Sequence, residues 1–471
     1  MRIPTTKPLF AWDCLEGNPS LQTLKNFFDL LPDTKLLQSL QRFRGKGRND
    51  YPVHVLWRTA LLCPLLRHQW IDSCLQELRR NPSLWPIIGI DDAGQVPNKW
   101  NISRFMLAVG APPHLTLVMD VFNAMVRLLA EVVPDLGERC AADSTALHAR
   151  RQGEPTGKRT RPKTDLPQPD GGHKEYTDDD GVVTRIIEWF GFKAHLLVDV
   201  KHEVILSYAI TPASTHDCKA IPTIVQQAVA NVPNPKATEQ NRLPKHRIKT
   251  LAYDKAGDDE GTHALLDAAG IKPVIQIRSC WKGEPERMLP GHDGTSNIVY
   301  DEAGTIYCYD KVSATPVRHR MAYIGQEPDR RTVKYRCPAM HEGFACPSHE
   351  RCNCGLKYGK TVRVPRDTDI RRFTAIPRDT KQFERLYKGR TAVERVNARI
   401  KILWGADDGN IVGSARFHAF FGAVMIVHIG LAILLASAPR EEGGTDRRLG
   451  TMHLGYIARQ LQKKIRQQQV A

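Results

Sequence analysis

Between Cys140 and Ile277 strand-like and helix-like runs alternate in an order that constrains the fold more tightly than any other feature of the chain. Cys140-Ala141-Ala142-Asp143 reads as a short strand ending in a carboxylate. Trp189–Val200 and Val204–Ile210 are apolar enough for strands, and a helical pattern runs from about Asp217 to Val232. His246–Tyr253 is a further strand that ends at Asp254, Thr262–Ala269 is helical, and Lys272–Ile277 is strand again. The order β-β-β-α-β-α-β predicts an α/β fold, a mixed sheet with helices packed on its faces.

The flanking regions differ in character. Residues 1–110 read as helical, with apolar spacing in Leu21–Leu31, Val53–Leu66, Ile71–Arg80 and Asn101–Val109 and breaks at Pro32, Pro52, Pro82 and Pro97. Arg42, Arg44, Lys46 and Arg48, then Arg79 and Arg80, are expected at the turns, which suits a helix-turn-helix-like DNA-binding region; a helical cap with a basic rim is the alternative. Leu115–Val133 is a stronger helix, ended by Pro134. Residues 150–181 are expected as a polar insertion carrying Arg150, Arg151, Lys158, Arg159, Arg161 and Lys163. The rhythm breaks at 278–376, where short β-like pieces surround a cysteine cluster, and helical periodicity returns at Thr380–Leu403. The segments are therefore 1–110, a core in two parts (111–277 and 377–440), the insertion 278–376 and a basic polar tail 441–471 with Lys463, Lys464 and Arg466.

Phe417–Ala438 contains no Lys, Arg, Asp or Glu and is long enough to cross a bilayer. His418, His428 and Ser437, the Ala and Gly content and the lack of a companion segment favour a helix buried in a soluble core over a membrane span. Composition agrees: 41% apolar and 25% charged residues in 471 exclude disorder, a collagen and a disulfide miniprotein. Met1–Pro8 has no basic-then-apolar leader pattern, so nothing indicates secretion. With 67 Lys+Arg against 51 Asp+Glu the formal charge is +16, which points to a polyanionic partner such as nucleic acid. Eleven cysteines, an odd number, are expected as thiols or metal ligands.

The segment Tyr387-Lys-Gly-Arg390-Thr-Ala-Val-Glu394 through Lys401 carries the densest chemistry. On a helix, Arg390, Glu394 and Lys401 fall at roughly 300°, 340° and 320° from Tyr387, so the four share one stripe. Gly389 is a poor helix former, and the helix is expected to begin near it. A solvated Arg–Glu pair is the bland alternative. Against it, Val393, Val396 and Ile400 form an adjoining apolar stripe, which sets the polar one at the edge of a buried face. A carboxylate, two cations and an aromatic ring there suit a metal-bound phosphodiester.

The spacing Y-x2-R-x3-E-x6-K resembles the pattern around the third catalytic carboxylate of bacterial insertion-sequence transposases of the DDE type. Ala142-Asp143-Ser144-Thr145 resembles their first-strand segment, Ala252-Tyr253-Asp254-Lys255 the segment of their second aspartate, and Gly191-Phe-Lys-Ala-His195-Leu-Leu-Val-Asp199 their second strand. Tyr51-Pro52 through Arg104-Phe105 resembles their helical DNA-binding domain. The resemblance implies a ribonuclease H-like core, with Asp143 on its first strand and Asp254 at the end of its fourth, interrupted by a β-rich insertion that contacts DNA. It implies Asp143, Asp254 and Glu394 as ligands of two Mg²⁺ (or Mn²⁺) ions, with Asp143 bridging, and Tyr387, Arg390 and Lys401 as contacts to the DNA end and its phosphates. The implied partners are double-stranded DNA (terminal repeats and target) and a second copy of the chain, in the cytoplasm and nucleoid of a bacterium and away from membranes. A ribonuclease H-like nuclease without strand transfer and a catalytically inactive DNA-binding protein are the alternatives.

Other residues compete for these roles. Asp199, Asp258 and Asp259 also lie near strand ends, and Asp258 is the alternative to Asp254. The run Asp178–Asp180 is expected as a solvated loop, and His148 and His195 as packed or hydrogen-bonded residues. Cys337, Cys346, Cys352 and Cys354, spaced C-x8-C-x5-C-x-C with His341 and His349 between, are a candidate structural zinc site, with Cys308 as an extra ligand. The spacing departs from paired C-x2–4-C knuckles, so unligated thiols are the alternative. Cys14, Cys63, Cys74, Cys140, Cys218 and Cys280 read as apolar fillers.

Overall fold

The computed structural model describes residues 19–46, 50–150, 165–177, 182–238, 243–291, 297–310, 312–350, 352, 357–438, 448–450 and 454–470. Cys14, Arg48, Cys354, the run Asp178–Asp180 and the basic residues Arg151, Lys158, Arg159, Arg161 and Lys163 lie outside them, as do the side chains of Lys463, Lys464 and Arg466.

The central sheet is built from β1 (Arg139–His148), β2 (Asp170–Thr177), β3 (Val183–Asp199), β4 (Ile205–Pro212), β5 (Thr250–Tyr253) and β6 (Lys272–Ile275). Its order is β2-β3-β1-β5-β6, with β4 also paired to β3. β3 is antiparallel to β1, β2 and β4, whereas β1, β5 and β6 run parallel, so the sheet is mixed. Two expectations need correction. β1 does not stop at Asp143 but continues to His148, because β3 pairs with it along its whole length, from Cys140↔Asp199 to His148↔Gly191. Gly191 permits that approach, since a Cβ there would lie 2.0 Å from the Leu147 carbonyl oxygen. The polar segment 150–181 is not wholly loop, because its end forms β2, which makes β5 the fifth strand in chain order.

Helices enclose the sheet. The N-terminal set is α1 (Pro19–Asp29), α2 (Thr34–Arg44), α3 (Val53–Leu65), α4 (Ile71–Arg80), α5 (Trp85–Ile88), α6 (Lys99–Val109) and α7 (His114–Val132). Arg42 and Arg44 lie on the last turn of α2, not in a connector, because Leu36 and Leu40 one turn apart bury that helix. α8 (Ile221–Asn231) and α9 (Glu260–Ala268) are the helices expected between strands. In the insertion, β7 (Glu286–Met288), β8 (Ile298–Asp301), β9 (Ile306–Tyr309) and β10 (Arg318–Arg320) form one antiparallel sheet. β11 (Ala322–Glu327), β12 (Thr332–Arg336) and β13 (Thr361–Pro365) form another, with the short α10 (Pro338–Glu342) between the last two strands. The chain returns through α11 (Lys381–Tyr387), α12 (Thr391–Trp404), α13 (Ser414–Ala436) and α14 (Leu454–Val470).

α13 is the axis of the core. It packs on α7, α6, α3 and β4, and 89% of its most apolar stretch is buried inside the protein. Its two histidines have internal partners: His428 Nε2 accepts from the Ile205 amide at 3.1 Å, and His418 Nδ1 lies 2.9 Å from the Ser414 carbonyl. Burial pushes the His428 imidazole down to about 3, so it is a neutral core residue. Leu24, Trp57, Val118, Leu196 and Ile426 belong to one continuous core, so the N-terminal helices and the sheet are packed together.

The insertion has a separate core around Ile298, Ile306, Val333, Tyr335, Val362 and Val364. It is tied to the sheet at Asp258. This buried carboxylate accepts from the Arg278 amide at 2.8 Å, pairs with Arg371 at 2.7 Å and Arg378 at 3.5 Å, and contacts His263 at 3.0 Å. Both connections of the insertion thus meet on one group. Asp258 is fully engaged and does not take the place of Asp254.

Candidate active site

Parallel pairing of β1 with β5 sets the first two carboxylates level. Ala141 stands opposite Ala252, so Asp143 and Asp254 lie two residues further along neighbouring strands, whose axes are about 4.8 Å apart. Asp254 ends β5 and caps the turn after it, accepting from the Ala256 amide at 2.9 Å. Asp143 lies in mid-strand under α12, where Asn397 Nδ2 donates to its Oδ2 at 3.4 Å. Burial, reinforced by the negative charge of Asp254 and opposed by Arg390, pushes the Asp143 carboxyl up to about 7.

The third carboxylate arrives on α12. α11 ends at Tyr387, whose ring stacks on Phe383 with centroids 5.8 Å apart and planes 9° from parallel. A single 3-10 turn, Lys388–Arg390, follows before α12 starts at Thr391, in keeping with a helix start near Gly389. Arg390 projects from this turn to Glu394 Oε1 at 2.7 Å, with its guanidinium 5.9 Å from the Tyr387 ring centre. Burial disfavours its charge, but Glu394, Tyr387, Asp143 and Asp254 together more than offset that and hold its pKa above the ordinary value. Asp143, Asp254, Tyr387, Arg390 and Glu394 therefore share one electrostatic neighbourhood. Lys401 stands apart: two turns beyond Glu394, its Nζ pairs with Asp407 at 3.1 Å, and Asp407 also holds His148 at 2.7 Å. As the side chains stand, no three carboxylate, imidazole or thiol groups among the described residues close around one point; Glu394 pairs with Arg390 instead.

The sequence profile described as "Transposase DDE domain" matches residues 136–429, from the residues before β1 into α13. The chain belongs to this family of transposases. Comparison with curated proteins gives no match. The matched span contains Asp143, Asp254 and Glu394 and brackets the insertion.

Asp199, Asp259 and His195 of the transposase have structural partners. Asp199 accepts from the amides of Gly137 at 2.8 Å and His202 at 2.6 Å, and Asp259 caps α9 through the Thr262 amide at 3.0 Å. His195 contacts Thr211 Oγ1 at 2.9 Å, and burial holds it down to about 4, a neutral packed residue as expected.

Three features of the site lie outside the sequence reading. Asn397, three residues beyond Glu394, reaches Asp143; its place on the inner side of α12 was the available signal. Asp217 accepts from Ser144 Oγ at 2.9 Å and pairs with Lys193 at 3.2 Å, bracing β1 and β3 beside the carboxylates. Glu203, in the turn between β3 and β4, is a wholly buried carboxylate on a residue with φ of 54°. It pairs with Arg395 at 2.7 Å, with Arg399, and with Arg448 at 3.2 Å. Arg395 and Arg399 are one turn apart on α12, so Glu203 pins the helix that carries Glu394 to the sheet. No local sequence pattern marks that contact.

Proposed function

We propose that this transposase binds the terminal repeats of an insertion sequence and cuts and joins DNA strands by two-metal-ion phosphoryl transfer, in a ribonuclease H-like core of the Y-R-E-K group. The carrying observation is the pair Asp143 and Asp254, set level on adjacent strands so that one carboxyl is held up to about 7 by burial and by the other's charge. Two half-buried carboxylates that repel one another, with Glu394 in the same electrostatic neighbourhood, are a hard-oxygen donor set suited to Mg²⁺ or Mn²⁺. Such ions, when bound, would activate a water or a DNA 3′-hydroxyl as the nucleophile and offset the phosphate charge in an in-line displacement.

The chain's own residues have distinct parts. Asp143 and Asp254 hold the reacting phosphate's counter-charge and Glu394 completes the set once Arg390 leaves it for a DNA phosphate oxygen. Arg390 suits that exchange, because a guanidinium binds carboxylate and phosphate with the same fork of donors. Tyr387, fixed by its stack on Phe383, orients the DNA end, and Lys401 meets the backbone farther along α12. The +16 charge supplies affinity for duplex DNA, shared between the N-terminal helices and the insertion. On the insertion, Trp281 lies 4.1 Å from Arg287 and 4.8 Å from Arg372 and offers a ring flanked by cations to a strand. Two ends must be held together for joining, so the working form is a dimer acting on the bacterial nucleoid.

The test is a labelled terminal-repeat duplex incubated with Mg²⁺ and target DNA. Cleavage and joining by the wild-type chain, lost in Glu394→Ala while duplex binding stays within about threefold, supports the assignment. Cleavage without joining identifies a nuclease, and binding alone identifies an inactive DNA-binding protein.

A further inference from the structure

The insertion carries four thiols that strand cleavage does not use. Cys308 is on β9, Cys337 caps the start of α10, and Cys346 and Cys352 lie in the segment leading to β13. Together these four line a single cavity of about 30 Å³. That is more than the volume one water-sized occupant needs and far too little for an organic ligand. None of the four is in a disulfide. The other lining residues include the apolar Ile298, Met321, Ala339 and Phe344 and the polar Asn297, His319, Ser348, His349 and Lys360. Asp310, the carboxylate on its wall, is spent on the amides of Val312, Ser313 and Val317.

The surroundings need a staple. Between β12 and β13 the apolar cluster has, among the described residues, two buried members, Cys337 and Ala339, with Met340, Phe344, Cys346 and Cys352 packed on it. A cluster of that size cannot order a segment of this length by burial alone. The backbone nevertheless aims the cysteines inward: the Cys337 amide donates to Lys360 at 2.8 Å, His349 to the Cys346 carbonyl at 3.1 Å, and Cys352 to Ser348 at 2.9 Å. A dication bound at the cavity would take all four as thiolates. As they stand, the sulfurs ring the cavity without closing on its centre. Zn–S bonds of about 2.3 Å would draw them in by side-chain rotation.

We propose that Cys308, Cys337, Cys346 and Cys352 form a four-thiolate zinc site that staples the segment between β12 and β13 onto the four-stranded sheet of the insertion. The expected set of Cys337, Cys346, Cys352 and Cys354 is thereby revised. Cys354 lies outside the described residues, and Cys308, distant in sequence, takes the fourth position on the cavity wall.

The full chain, expressed with zinc and purified without chelator, tests this by metal analysis and by cysteine alkylation read by mass spectrometry. About one zinc per chain is expected. Zinc should shield Cys308, Cys337, Cys346 and Cys352 from alkylation at least tenfold relative to protein stripped by a chelator, and leave Cys354 unshielded. Co²⁺ in place of zinc should give the intense sulfur-to-metal charge-transfer band of a tetrathiolate. Cys308→Ser should lose the metal and Cys354→Ser should keep it. The alkylation pattern is read on the wild-type chain, so it decides the matter even where Cys308→Ser fails to fold. Folded wild-type protein without zinc or the Co²⁺ band, or shielding of Cys354 in place of Cys308, overturns the proposal. Strand cleavage enters none of these readouts, so this site and the transposase mechanism fail separately.

Discussion

Replacing Asp143 with asparagine should stabilise the metal-free protein while abolishing its chemistry. The Asp143 carboxyl rises from an ordinary 3.8 to about 7 on folding, and a shift of about three units corresponds to about 4 kcal/mol. Asp143 keeps some contact with solvent, which reduces the effective figure to about 2–4 kcal/mol. The sign follows from proton counting. Between about pH 4 and pH 7 the native chain retains a proton that the unfolded chain has released, so stability falls as pH rises through that window. The full cost is present above pH 7 and absent below pH 4. Asparagine has no charge to bury and keeps an oxygen for Asn397. Asp143→Asn should therefore exceed wild type by about 2–4 kcal/mol at pH 8 and match it at pH 4. Urea unfolding in a chelator, followed through the buried Trp57 and Trp404, measures this. Added Mg²⁺ should raise wild type and leave the variant unchanged, because a ligand of the native state stabilises by mass action. A variant less stable than wild type at pH 8, or an offset equal at both pH values, would refute the account of a charge held in the cleft at a cost to the fold.

Other perturbations separate support from chemistry. Glu203→Ala should cost about 1.5–3 kcal/mol in urea unfolding, because it removes the buried carboxylate shared by Arg395, Arg399 and Arg448, whose own side chains keep contact with water, and Glu203→Gly should cost about 1 kcal/mol less by relieving the left-handed backbone. Equal losses would show that the φ of 54° carries no strain. Asp258→Asn should loosen the insertion, seen as faster limited proteolysis near Arg278 and Arg371 with main-core tryptophan fluorescence unchanged; an unaltered digest would show that the Arg371 and Arg378 pairs do not hold it. Glu394→Ala should leave stability within about 0.5 kcal/mol of wild type, since its side chain is 46% exposed. A larger loss in thermal unfolding would make Glu394 a structural residue.

What the sequence conceals has a common physical origin. β1 reads as ending at Asp143 because Asp143-Ser144-Thr145 interrupts the apolar run, and its true length depends on β3, some fifty residues away. β2 is hidden because its hairpin with the start of β3 is exposed on both faces, so neither strand shows alternation. Glu203 looks like a solvated turn residue; its burial requires guanidinium groups supplied from α12, a separation of 192 residues in the case of Arg395. Contacts between distant elements leave no periodic trace in either partner.

The three carboxylates are legible for the opposite reason. An aspartate closing a short apolar run, another at the end of a second such run and a glutamate beside an apolar helical stripe each stand out against their neighbours, and the resemblance to the DDE pattern singles them out. A charge so placed costs stability, which the raised Asp143 carboxyl expresses directly. Such a cost is tolerated where a charge has work to do, which is the role proposed for these three. The site's supports obey no such logic. Glu203 with its arginines and Asp258 with Arg371 and Arg378 are ordinary charges on ordinary turns and helices until the fold brings each to its partners. A substitution at either should therefore act on the geometry around α12 or the insertion, and only through that geometry on the three acids.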